Sequence, residues 1–170
     1  LLERFGPRER EQIDLSQVPC RGPAAAPVTL TVVSDFECPF CAMGRKLVEQ
    51  VERAAGERLR VCFINWPLTS IHPRAELAAR AALAAQLQGR FWPMHDALYD
   101  NREHLERDDL LGHARELGLD MARFERDLDA EAVKQRLAAH VAQARRLRLK
   151  GTPSFLINGR RMTDPKAVPI

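Results

Sequence analysis

No stretch of this chain approaches the run of about 18 apolar residues that a membrane span requires, so no membrane span is expected within it. Charge of a single sign is also lacking. The 26 Lys and Arg interleave with 23 Asp and Glu to leave a net +3. That balance supports solubility and gives no reason to expect nucleic acid as a partner. One basic cluster, Arg145, Arg146, Arg148 and Lys150, closes a predicted helix, where cations complement the helix dipole. Repeats and low-complexity segments are absent. The five histidines, His72, His95, His104, His113 and His140, show no repeated ligand spacing, so neither a metal nor any other cofactor is called for. An initiator methionine and a signal peptide are missing as well. A mature secreted form, a piece of a larger protein and a trimmed chain all fit, and composition leaves the compartment open.

With 45% hydrophobic residues in 170, the chain can bury one good core and one inserted subdomain, but not two large independent domains. Gln12 to Val18 alternates through Ile13 and Leu15 and reads as a short strand, followed by a turn-rich stretch from Pro19 to Pro27. A strand at 28–34, a helix from 38 to about 55 and a buried strand from Leu59 to Asn65 form a right-handed β-α-β unit with a parallel strand pair. From Pro73 to about Lys150 the signals are helical only. Asp108, Asp120 and Asp129 are candidate caps, and Phe91 to Tyr99 is a short aromatic helix. Strand character returns at Ser154 to Ile157, with Asn158-Gly159 as a two-residue turn into a return strand from Arg160 to Met162. The expected fold class is α/β, about five strands interrupted by a helical insertion too long to be a loop. Residues 12–72 and 150–163 would form the sheet and first helix, and 73–149 the inserted helical subdomain.

Only four cysteines are present, and two of them carry the clearest chemistry. Cys38-Pro39-Phe40-Cys41 follows a strand and opens a helix. Pro39 has the fixed φ of a first helical turn. Unpaired N–H groups and the positive end of the dipole at that position favour a thiolate, the reactive form of cysteine. Cys41, one turn on, faces the same side and can resolve a mixed disulfide. A structural zinc site would need two such pairs, and Cys20 and Cys62 are each isolated. A redox-active dithiol is therefore expected. Cys38 should be exposed and reactive, with Cys41 shielded and titrating higher. Phe40, between the cysteines, is expected at the surface, where it can meet an apolar, partly unfolded substrate. Asp35 and Glu37 precede the nucleophile; both suit structural or solvated roles, and Glu37 is also a candidate proton relay for Cys41. His72, in the loop after the third strand, is the one histidine placed to approach the site. The first strand is expected antiparallel beside 59–65, bringing Cys20 near the start of that strand. A Cys20–Cys62 disulfide and two unpaired thiols both remain open; a bond would imply an oxidising compartment.

Taken together, Ser34-Asp35-Phe36-Glu37-Cys38-Pro39-Phe40-Cys41, Gly151-Thr152-Pro153-Ser154-Phe155 and the helical insertion between them resemble the thioredoxin superfamily, and more closely its DsbA-like thiol-disulfide oxidoreductases. Pro67-Leu68, His72-Pro73 and Gln88-Gly89-Arg90-Phe91-Trp92 are similar to the branch with the helical insertion. The resemblance runs from about Gln12 to Met162. It implies a thioredoxin-like fold and a cis Pro153 beside the Cys38 sulfur, so that Pro39, Phe40, Thr152 and Pro153 line the substrate groove. It further implies a monomer that exchanges disulfides with protein substrates carrying thiols or disulfides, in a periplasmic or other extracytoplasmic location, with a redox partner protein. Oxidase leads as the direction. A threonine before the cis-proline resembles the isomerase relatives, so reductase and isomerase stay open, as does a redox-sensing or peptide-binding module of a larger membrane protein. Thr163 to Ile170, with Pro165 and Pro169, leaves little room for the family's closing helix.

Overall fold

The computed structural model describes residues 10–162. Its framework is a five-stranded sheet of β1 (Cys20–Arg21), β2 (Val28–Ser34), β3 (Leu59–Asn65), β4 (Ser154–Ile157) and β5 (Arg160–Arg161), in the order β1-β3-β2-β4-β5. β2 and β3 are parallel and every other pair is antiparallel. β2 and β3 are buried on both faces over most of their length, and β2 takes Thr31 and Ser34 into the interior along with its apolar residues. The helix α1 (Pro39–Ala55) makes the crossover between them. Five helices follow: α2 (Ala75–Gln86), α3 (Phe91–Asp100), α4 (Arg107–Glu116), α5 (Met121–Asp129) and α6 (Glu131–Arg146). At the last hairpin, Asn158 and Gly159 take φ of 48° and 76°, the left-handed pair that a tight two-residue turn requires.

The sheet carries helices on both faces. Leu30, Val32, Val61, Phe63 and Phe155 share one apolar cluster with Val48 of α1 and with residues of α2 to α5. Val33, Cys62, Ile64 and Leu156, alternating with them, pack on the other face against Val18, Ala144 and Leu147. The helical insertion therefore completes the core of the sheet. α2 is the clearest case: seven alanines and Leu83 are buried, and such small side chains let neighbouring helices approach closely.

Several local expectations need correction. Residues 12–18 form no strand. Ile13 and Leu15 do pack inward, but the backbone here bonds to α6 side chains: Asp14 N–H donates to Gln143 Oε1 (2.7 Å), and Arg146 donates to the Gln12 carbonyl (2.6 Å). Alternation reports a buried side, and here the partner is a helix rather than a strand. Sheet pairing begins instead at Cys20, inside the stretch expected to be turn. α4 is capped at Glu106 rather than Asp108, with the Asp109 carboxylate accepting from the Glu106 N–H (3.0 Å). Asp120 caps α5 through the Arg123 N–H (3.0 Å). Asp129 does not cap α6; its carboxylate is taken by Arg80 and Arg107, and Ala130 holds the cap position. Thr163 to Ile170, where a closing helix was in question, lie outside the described residues.

One buried group makes stability depend on pH. His140 of α6 accepts a hydrogen bond at Nδ1 from the Asn65 N–H (3.1 Å), which leaves Nε2 protonated and facing the Gln17 carbonyl at 3.5 Å. Burial pushes its pKa down to about 4. The unfolded chain thus takes up a proton at His140 near pH 6.5 that the folded chain refuses until about pH 4. Stability is fully present above pH 6.5 and falls as the pH drops through this window, by about 3 kcal/mol at the acid end. His95, buried and likewise depressed, adds in the same direction. Urea midpoints measured from pH 7.5 to 4 should fall accordingly, and His140→Gln should flatten the slope. An unchanged slope in that variant would exclude His140 as the source.

Candidate active site

The dithiol sits where β2 hands over to α1. Cys38 is the N-cap residue, with extended backbone (φ −71°, ψ 123°), and Pro39 begins the helix. The Cys38 carbonyl accepts from Ala42 N–H (3.2 Å), which closes the first turn. The N–H groups of Phe40 and Cys41 consequently have no partner inside the helix and remain at the cysteine end, as at any helix N-terminus.

The second motif reaches this turn through the sheet. β4 pairs antiparallel with β2, Val33 opposite Ser154, so the residue before β4 lies beside the end of β2. That residue is Pro153, and the Thr152–Pro153 bond is cis. The Cys38 Sγ lies 3.8 Å from the Thr152 carbonyl oxygen. Close approach depends on Gly44 of α1: a Cβ there would stand 3.1 Å from Phe155 Cζ and 3.3 Å from Pro153 Cγ. A glycine in mid-helix costs roughly 1 kcal/mol relative to alanine; here it makes room for the facing loop.

The two thiols are free and differ in surroundings. Cys41 is 1% exposed. Burial pushes its thiol up to about 12; the hydroxyls of Ser34 and Thr152 and the Asp35 backbone lie near enough to oppose that shift, and the Cys38 sulfur adds to it. Cys38 is itself only 4% exposed, a correction to its expected exposure, because the Thr152–Pro153 loop closes over the helix start. Phe40 does project into solvent at 68% exposure, and Met43 and Ile71 are comparably exposed.

The two carboxylates before Cys38 are fasteners. Asp35 is buried and accepts three hydrogen bonds of 2.8 Å each, from the N–H of Glu37 at Oδ1 and from the N–H of Leu68 and His72 Nδ1 at Oδ2. Glu37 accepts the backbone N–H of Arg74 at one oxygen (2.8 Å) and its guanidinium at the other (2.9 Å). Together they tie the dithiol turn to the loop leading into α2. Both Glu37 oxygens are committed to Arg74, and Glu37 is not among the groups acting on the Cys41 thiol, so the structure does not favour it as the proton relay. His72 reaches the region only through Asp35.

Ser34 and Tyr99, for which the sequence suggested no role at the site, line one cleft with Cys41. Their hydroxyls are 2.7 Å apart, and the Tyr99 hydroxyl also lies 3.4 Å from the Asp35 carbonyl. Tyr99 is the chain's single tyrosine, more than fifty residues along from Cys41, and no local spacing links the two. Cys20 and Cys62 face each other across the β1–β3 pair and are joined by a disulfide. Among the described residues, no group of three or more His, Cys, Asp or Glu converges as a metal site, and no helix is long and apolar enough to cross a membrane.

The family model described as Thioredoxin matches residues 16–168. A curated relative, the Na(+)/H(+) antiporter NhaA 3 of Salinispora tropica, is 41% identical over 145 residues, which is 85% of this chain and 22% of that protein. The chain thus spans about a fifth of the length of the curated relatives it matches. Among solved structures, a thioredoxin-like oxidoreductase from Silicibacter pomeroyi DSS-3 superposes with a TM-score of 0.78 at 31% identity, covering 86% of this chain and 83% of that one. The thiol-disulfide exchange protein α-DsbA2 from Wolbachia pipientis shares the fold at a TM-score of 0.76 and 19% identity, over 89% and 84% of the two chains. The chain belongs to the thioredoxin family, with the thiol-disulfide oxidoreductase fold of its DsbA-like members and a cysteine pair able to form a disulfide.

Proposed function

We propose that this chain oxidises protein thiols, with Cys38 as the sulfur that exchanges with substrate and Cys41 as its internal partner. The observation that carries this reading is the asymmetry of the pair. Cys38 lies at the helix start beside the substrate-facing loop, whereas Cys41 is sealed behind it with a thiol pushed up to about 12. A substrate thiolate attacks Cys38 of the disulfide form, and Cys41 leaves and is protonated. A second substrate thiol then attacks the substrate's own sulfur in the mixed disulfide. The products are an oxidised substrate and the reduced dithiol, which a redox partner protein returns to the disulfide. Pro39, Phe40, Thr152 and Pro153 line the groove, and exposed Phe40, Met43 and Ile71 suit an apolar, partly unfolded substrate. The Cys20–Cys62 bond supports an extracytoplasmic, oxidising location. The chain acts as a monomer, with residues 73–149 as a helical subdomain over the sheet.

A second reading is favoured by the antiporter relatives, of which this chain matches about a fifth. In it the chain is the redox-responsive module of a larger membrane transporter, and the dithiol is a switch. The reduction potential of Cys38/Cys41 against glutathione, with turnover on reduced, unfolded ribonuclease, separates the readings. A potential well above that of the glutathione pool, together with turnover, is the oxidase result. A more reducing potential with turnover on insulin disulfides would make it a reductase or isomerase, and a dithiol inert to glutathione would leave the module.

A further inference from the structure

The Cys41 sulfur has a proton problem that the dithiol does not solve by itself. In the direction where Cys41 attacks the mixed disulfide at Cys38, its S–H proton must go somewhere. In the reverse direction the departing sulfur must receive one, because a thiolate of high pKa is a poor leaving group. Cys41 is almost completely buried, and Glu37, the carboxylate nearest in sequence, is held by Arg74.

A route does lead out behind it. Ser34 lines the same cleft as Cys41, and its hydroxyl stands 2.7 Å from the Tyr99 hydroxyl. Cys41, Ser34, Tyr99 and His95 line one small cleft, together with Arg45 and Trp92, with a volume of about 10 Å³. That is room for about one water. His95 Nδ1 lies 2.9 Å from Asp96 Oδ1, so in the neutral ring Nδ1 carries the hydrogen and Nε2 is the free base. Asp96 is 41% exposed and ends the route at solvent. The rings of Phe36, Phe63, Phe91, Trp92 and Tyr99 surround the imidazole. The charged groups acting on it are Asp96 on its own helix, Arg21 of β1 and Arg45 of α1.

We propose that Ser34, Tyr99 and His95 form a proton relay for Cys41. As Cys41 attacks the Cys38–substrate disulfide, its proton passes to the Ser34 oxygen, the Ser34 proton to Tyr99, and the Tyr99 proton through the water of the cleft to His95 Nε2. The Asp96 carboxylate stabilises the imidazolium. A Cys38–Cys41 bond forms, the bond from Cys38 to substrate breaks, and the substrate leaves as a thiolate. The reverse reaction returns the same proton. Burial keeps His95 neutral near pH 7, ready to accept.

This inference rests on the dithiol-exchange reading and is tested so that the two can fail separately. Reduced protein is mixed with oxidised glutathione, quenched with acid and followed by mass spectrometry. The first phase forms the mixed disulfide at Cys38; the second, as Cys41 attacks, releases the second glutathione. Tyr99→Phe keeps the packed ring and removes only the hydroxyl. It should slow the second phase about 10- to 100-fold and leave the first unchanged, the scale expected for lost acid–base assistance. His95→Gln should in addition remove the dependence of the second phase on pH as the pH falls below 6.5, the side to which burial moves the His95 titration. A second phase at the wild-type rate and pH profile in folded Tyr99→Phe overturns the relay. If His95→Gln does not fold, Tyr99→Phe and Ser34→Ala decide. Absence of both phases in the wild-type protein would defeat the exchange reading, which the relay variants do not touch.

Discussion

Cys41→Ser should accumulate Cys38-linked mixed disulfides, whereas Cys38→Ser should form none and lose all turnover. The environments of the two thiols set this difference. With its thiol pushed up to about 12 by burial, Cys41 stays protonated at pH 7. It is therefore a negligible nucleophile toward an external disulfide and acts only on a sulfur held beside it. Removing it takes away resolution and leaves capture intact. Incubation of each variant with an excess of oxidised glutathione, followed by intact-mass measurement, gives the answer. Iodoacetamide supplies an independent check, since Cys38 should be labelled long before Cys41. Labelling of Cys41 first, or a glutathione adduct on Cys38→Ser, would reverse the roles.

The second large effect concerns stability. The Cys20–Cys62 bond closes a loop with a sequence separation of 42 and holds β1, only two residues long, at the edge of the sheet. The chain-entropy relation for a loop of that length gives about 4 kcal/mol. For a chain of this size that corresponds to roughly 10 °C in Tm. Alanine at both positions avoids burying a hydroxyl at Cys62, which is fully enclosed. Thermal unfolding of the double variant, with the dithiol of both proteins kept in one redox state, should show that loss. A difference under about 1 kcal/mol would mean that packing around β1 suffices and that the bond is incidental to stability.

Much of this molecule was legible in its residues. The stretches at 28–34 and 59–65 read as strands, the second a buried one, and each emerged with those bounds. Cys38-Pro39-Phe40-Cys41 carried its own helix start, because Pro39 suits a first turn and the periodic residues after it continue the helix. Asn158-Gly159 announced its hairpin because few other residue pairs accept two left-handed backbones in succession. The fold class followed from the order of these elements, strands on either side of a long helical stretch. These are local or periodic properties, which the chain states without reference to distant partners.

Where a partner matters, the sequence was silent or misleading. Ile13 and Leu15 alternate as a strand would, and only the presence of α6 alongside turns their backbone hydrogen bonds to Gln143 and Arg146. Glu37 looks like a free carboxylate next to a thiol until Arg74 is found on both its oxygens. Cys38 reads as exposed from its helix position alone, and it is buried because a loop more than a hundred residues later closes over it. Gly44, Tyr99 and His95 carry no motif, and Ser34, which opens the dithiol motif, gives no sign of its partner. They meet around Cys41 because α1 starts at the end of β2 and α3 packs its rings against Phe36 and Phe63. The sequence by itself determined that a cysteine pair opens a helix after a strand, and the kind of fold that displays it. Access to those sulfurs, their fasteners and the polar groups gathered behind Cys41 were decided by tertiary packing, since burial and long-range hydrogen bonds exist only once the chain has closed on itself.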